Sequence, residues 1–251
     1  MQAVYAADRS LGGKLRRRLT RLSARRPARR GPDWPMVSIT FDDAPASAVE
    51  QGRAALEARG LRGAYFVAAG LAGETGPSGR YATAQELMGA CAAGHELACH
   101  TFSHLDCASA DAAAIVADTT RNAEVLAAWG APSPTTFAYP YGEVSPNAKR
   151  ALGARYGLMR GLHHGLVAAG VDLNQAPAVG LEGPGGEELA HRWIGHAANR
   201  CGWLILFTHD VAPDPSPYGC TPDALARVID HALETGADVV TVSEGLSRLR
   251  A

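Results

Sequence analysis

A chain of 251 residues, 47% of them apolar, can bury one large α/β core or two small ones. It holds no apolar run of about 18 residues, which excludes a membrane-spanning helix by that criterion, and its first residues lack the apolar stretch of a secretory leader, so a cytoplasmic protein is expected. The net charge of −1 conceals a division: ten of the 24 basic residues lie between Arg9 and Arg30 with Asp8 the only acid among the first 30, leaving 14 basic against 24 acidic residues beyond.

The first element is that basic arm. Leu11, Leu15, Leu19 and Leu22 recur at helical spacing with arginines between them. A basic amphipathic helix of this kind can lie on an anionic membrane, so peripheral membrane contact through residues 11–30 is one expectation. Packing on the body of the protein, or on a second subunit in a homodimer, is the other. The acidic body argues against nucleic acid as a partner. The five cysteines show no paired spacing and read as reduced thiols.

Beyond residue 33, short apolar runs alternate with amphipathic stretches. Strands are expected at 36–42, 63–68, 95–99, 135–139, 156–161, 176–180, 203–208 and 238–242. Helices are expected near 46–59, 83–93, 109–129, 145–153, 186–200 and 221–234, several of them followed by Gly at the position after the last turn. Such alternation predicts a parallel sheet. Seven or eight units predict a (β/α) barrel, with a doubly wound open sheet as the alternative.

A barrel gathers its active site at the C-terminal ends of its strands. Those ends are polar here: Asp42–Asp43 after "VSITF", His100 after "HELAC", Pro140–Tyr141 after "TTFAY", Arg160 in the fifth strand, and His209–Asp210 after "WLILFT".

Each group has a chemical and a plain reading. "HTFSH" sets His100 and His104 four apart; in a helix or a tight turn both rings reach one side and can share a metal, and otherwise they are surface histidines. The zinc-peptidase pattern does not apply, because Thr101 stands where its Glu would be. Two adjacent carboxylates at a strand end repel each other, and a divalent cation relieves that repulsion. One Asp then binds metal and the other serves as a base; the plain reading is a helix cap beside a solvated acid. His209 is either a core histidine or a general acid. "FAYPYG" is an ordinary turn, or one that holds a backbone N–H out as an oxyanion donor.

In this order "TFDDAP", "HELACHTFSH", "FAYPYG" and "WLILFTHDV" resemble the polysaccharide deacetylases of carbohydrate esterase family 4, over residues 36 to 245. "FTHDV…PSPYGCTP" is similar to the bacterial exopolysaccharide branch, of the holdfast type. The resemblance implies a distorted (β/α)7 TIM-like barrel in one catalytic domain, residues 34–251, behind an arm of residues 1–33. It implies removal of N-acetyl groups from an N-acetylglucosamine-type oligo- or polysaccharide. It implies a divalent metal, zinc before cobalt or another ion, on Asp43, His100 and His104. Asp42 resembles the catalytic base, His209 the general acid, and Tyr141 the oxyanion donor.

The chain departs from the family pattern at three points. Ala44 replaces a Gly. Ala138 stands where many members carry an Arg that orients the base, and Arg160 is expected to fill that space. The Asp that supports the acid is not recognisable; Asp172 or Asp210 could take its role. Two other readings stay open: a small-molecule amidohydrolase on the same barrel, and a silent scaffold in a polysaccharide synthesis complex. Phe102, Tyr139, Tyr141 and Tyr218 are candidate sugar platforms, with ordinary packing as the alternative.

Overall fold

A computed structural model describes residues 10–250. Asp8 and Arg9, counted in the basic arm, lie outside the described residues, as do the side chains of Leu11 and Lys14.

Helix α1 (Leu11–Leu22) leads into β1 (Met36–Asp42), whose seven residues are all buried. Strand alternation sends Val37, Ile39 and Phe41 outward into the layer shared with the helices, while Met36 joins the barrel interior. A wide-pitched turn (Ala48–Gly52) runs into α2 (Arg53–Glu57), so the helix expected at 46–59 forms in two pieces. Gly52 lies against the Phe41 ring, where a Cβ would come within 2.8 Å of it. Next come β2 (Ala64–Val67) and a small hairpin of β3 (Thr75–Gly76) and β4 (Gly79–Arg80) that the apolar pattern did not announce.

Helix α3 (Ala84–Ala92) opens on a reciprocal cap between Thr83 and Glu86. β5 (Glu96–Cys99) and α4 (Ala112–Trp129) follow; Asp111 caps the start of α4, and Gly130 ends it at φ 97°. β6 (Thr136–Ala138), α5 (Pro146–Leu152), β7 (Leu158–Arg160) and β8 (Val179–Gly180) complete one side. α6 (Gly186–Arg200), β9 (Trp203–Thr208), α7 (Pro222–Glu234), β10 (Asp238–Val239) and α8 (Val242–Arg250) complete the other. The last expected strand is thus cut short, and Val242 opens a helix instead.

The large sheet is parallel, in the order β7-β6-β5-β2-β1-β9-β8. β9 lines one edge of β1; β10 pairs with residues 36 and 37, and β2 with residues 40 to 42. The order is sequential around a circle, with none of the reversal a doubly wound sheet requires. The ends meet through irregular backbone: β7 exchanges hydrogen bonds with the 173–176 segment, Met159 N to Leu173 O at 2.8 Å and Gly161 N to Ala176 O at 2.9 Å. The result is a curled (β/α)7 half-barrel in one domain.

The N-terminal arm seals that irregular edge. Ala28 N donates to Val171 O at 2.7 Å and Leu173 N to Arg26 O at 2.9 Å. The Arg26 guanidinium reaches the carbonyls of Gly153, Tyr156 and Gly157. Buried Lys149 pairs with Asp172 at 2.7 Å and donates to Thr20 O of α1 at 2.9 Å. Among the described residues no helix is long and apolar enough to cross a membrane.

Candidate active site

The expected strand ends converge on one pocket. Asp42, Asp43, His100, His104, Tyr141 and His209 line it, with Tyr81, Leu162, Phe207 and Tyr218 around them. Arg160 lies behind Asp42, fully buried, its guanidinium over the Phe66 and Phe207 rings at 4.9 and 5.1 Å.

The backbone is bent to make this pocket. Seven described non-glycine residues have positive φ, and five are here: Asp43 (60°), Ala44 (49°), Thr101 (61°), His104 (56°) and Tyr141 (60°). Each such residue costs roughly 1–2 kcal/mol, so the surrounding contacts must impose the conformation. At Ala44 the sign of φ explains why Gly would sit there easily. "HTFSH" forms a tight turn, not a helix. Leu105 N donates to Thr101 Oγ1 at 2.8 Å, and Asp118 of α4 accepts from Phe102 N at 2.6 Å, Ser103 N at 3.1 Å and Ser103 Oγ at 2.7 Å.

The turn brings His100 Nε2 to 3.6 Å and His104 Nε2 to 3.3 Å from Asp43 Oδ1. One ligand atom from each of the three lies within 4.8 Å of the others. His100 Nδ1 sits 2.8 Å from the Ala138 carbonyl. A carbonyl can only accept, so Nδ1 carries the proton and Nε2 turns its lone pair toward Asp43. Burial lowers both histidines to about 4, aided for His100 by His104 and for His104 by His209. Asp43 Oδ1 is itself buried without a hydrogen bond. The His100 lone pair, His104 Nε2 and the unpartnered Asp43 oxygen face one another, and this donor set suits a divalent ion such as zinc or cobalt.

Asp42 and Asp43 differ although they are adjacent. Burial raises Asp43, and the Asp42 charge adds to that. Burial alone would raise Asp42 too, but Arg160, which donates to Asp42 Oδ1, together with His100 and His209 holds it below the ordinary carboxylate value. Ala138 removes one guanidinium, and Arg160 supplies one from the next strand.

His209 follows β9, and its Nδ1–H donates to Glu182 Oε1 at 2.8 Å. Burial alone would lower the imidazole; the Glu182 hydrogen bond and the charges of Asp42 and Asp43 outweigh it and lift His209 to about 9. Glu182 replaces the expectation placed on Asp172 or Asp210. Asp172 is held by Lys149, and Asp210 accepts from Ser216 N at 2.7 Å and Ser216 Oγ at 2.5 Å. Sequence reasoning missed Glu182, although it stands two residues past β8, at a strand end like all the others.

Tyr141 lies in the turn Pro140–Gly142, its ring edge-on to His104 at 4.4 Å. Tyr218 is partly exposed at the rim. Tyr139, by contrast, is core: its hydroxyl donates to Asn174 O at 3.0 Å. Phe102 is covered by Arg121 at 3.9 Å.

Residues 29–159 match the family model described as polysaccharide deacetylase. Over 217 residues the chain is 27% identical to a probable peptidoglycan-N-acetylglucosamine deacetylase of Arthroderma benhamiae, covering 86% of this chain and 45% of that protein. The chain therefore spans about half the length of that curated relative. A proposed polysaccharide deacetylase of Mycobacterium smegmatis superposes with a TM-score of 0.69 at 19% identity, covering 90% of this chain and 95% of that one. A family 4 acetyl xylan esterase of Clostridium thermocellum, in complex with a cobalt ion, gives 0.58 at 21% identity, covering 84% and 90%. At these identities the two structures speak for the fold.

Proposed function

The chain belongs to the polysaccharide deacetylase family, carbohydrate esterase family 4, and on that premise we propose that it is a metal-dependent hydrolase that removes N-acetyl groups from a bacterial exopolysaccharide or its precursor. The observation that carries this reading is the facing of three metal-competent donors, Asp43, His100 and His104, by a carboxylate held ionised, Asp42, and an imidazole held protonated, His209, in one pocket.

Amide hydrolysis needs a strong nucleophile and a protonated leaving nitrogen. A divalent ion held by Asp43, His100 and His104 would supply electrophilic polarisation of the acetyl oxygen and of water. Asp42, kept ionised by Arg160, takes the proton from the attacking water. The Tyr141 peptide, turned by its left-handed backbone at the pocket wall, donates to the developing oxyanion; loss of such a donor costs roughly 10²–10³ in rate. His209, protonated through Glu182 and Asp42, delivers its proton to the departing nitrogen. Tyr218, at the rim beside His209, offers a face on which a sugar ring could stack. The exopolysaccharide assignment rests on the wording of the "FTHDV…PSPYGCTP" segment.

Acetate release by the metal-loaded protein tests the proposal, on N-acetylglucosamine oligomers of increasing length beside a small cyclic amide. Release that depends on metal and rises with chain length supports it. Turnover of the small amide alone would give the site to a small-molecule amidohydrolase, and no turnover of either by metal-loaded protein would leave a scaffold.

A further inference from the structure

We propose that α1 docks this protein on an anionic lipid bilayer, apolar face down. The helix is inside out by the usual rule, which turns leucines to the core. Its buried positions are Gly13 and Thr20, whereas Leu15, Leu19 and Leu22 are 58%, 56% and 68% exposed. Polar contacts hold it there: Lys149 Nζ on Thr20 O at 2.9 Å, and Arg17 to buried Glu143 at 3.5 Å. The apolar face is thus left over for something outside the chain.

Charge says what that is. At about 100° per residue the three leucines form a stripe some 60° wide, with Arg16 flanking it on one side and Arg18 on the other. Both arginines are exposed, as is Arg21 in the last turn, and exposed Arg25, Arg29 and Arg30 extend the cationic band past the helix end. No acidic residue occurs between positions 9 and 32. Trp34, 64% exposed, follows directly after the arm. A narrow apolar stripe between guanidinium groups suits the boundary between acyl chains and phosphate headgroups.

A second copy of the chain fits less well. The other large apolar side chains exposed among the described residues, Val116, Tyr218 and Leu233, offer no stripe to receive the leucines. Pairing α1 with itself would set arginine against arginine. The Arg17–Glu143 contact also ties the docking helix to the loop that carries Tyr141, at the rim of the pocket.

Residues 20–28 are stitched into the barrel edge, so point substitutions in the full chain are the test, not truncation. The chain is sedimented with phosphatidylcholine vesicles, with and without phosphatidylserine, at low and raised salt. Binding is expected with phosphatidylserine and should weaken with salt. It should fall about tenfold or more in a Leu15→Gln/Leu19→Gln variant and in an Arg16→Gln/Arg18→Gln variant. Thermal melting of both should match the parent, which separates lost docking from lost fold. The proposal is overturned if the parent stays in the supernatant with both vesicles, or if the leucine variant binds as the parent does. A dimer that the leucine variant dissociates, in a chain that ignores vesicles, would give the stripe to a second copy and overturn it equally. None of these readouts depends on hydrolase activity.

Discussion

Glu182 and His209, from the ends of neighbouring strands, are joined by a 2.8 Å hydrogen bond that leaves the imidazole Nε2 as the ring's second proton site. A histidine lifted to about 9 is protonated below that value and loses its proton as pH rises through it. Its role as an acid is therefore present at neutral pH and fails on the alkaline side. A cation beside Asp43 offsets that residue's contribution, so Glu182 and Asp42 carry most of the lift in the loaded protein.

Glu182→Gln should consequently move the alkaline limb of kcat/KM down by about one pH unit or more, while metal content is retained. Glu182→Asp should recover part of the shift. An unchanged alkaline limb in Glu182→Gln would remove Glu182 from its positioning role.

Arg160 acts on the opposite limb. It holds Asp42 ionised, and the acid side of the profile follows that carboxylate, present as a base above its pKa and lost below it. Arg160→Ala should raise the acid limb and lower turnover. It should also destabilise the fold by roughly 3–5 kcal/mol, since a buried carboxylate is left without its counter-charge. Thermal unfolding and a pH–rate profile of Arg160→Ala and Arg160→Lys separate the two effects; near-full activity in Arg160→Ala would refute the assignment.

The two aspartates should divide cleanly. Asp42→Asn is expected to keep metal and lose about 10²–10⁴ in turnover. Asp43→Ala and His104→Ala should lose metal as well, as read by elemental analysis of purified protein. Normal metal content in Asp43→Ala would contradict its place as a ligand.

Asp118 touches none of the three ligands but accepts three hydrogen bonds from the turn between His100 and His104. Asp118→Ala should weaken metal affinity about 10–100-fold with little change in the metal-saturated rate. Titration with zinc or cobalt measures it, and parent-like affinity would show that the turn holds its strained shape without help.

The order of strands and helices could be read along the chain, because each is written in local periodicity and local caps: "MVSITFD" alternates, and Thr83–Glu86 and Asp111 start helices where they stand. The convergence of Asp42, Asp43, His100, His104, Tyr141, Arg160 and His209 was legible as well, because a parallel barrel turns strand ends into one rim. What remained hidden lay in contacts between residues far apart in sequence. Glu182 meets His209 only because β8 and β9 pair, and Asp118 clamps the histidine turn from a different element. The turn's left-handed residues, Thr101 and His104, flank the two residues that Asp118 holds, and nothing in their own side chains announces that conformation. The leucines of α1 have a spacing that announces a helix and an apolar stripe. Only packing decided which way the stripe faces, because Lys149, Glu143 and the 170–173 segment draw the polar side of the arm inward.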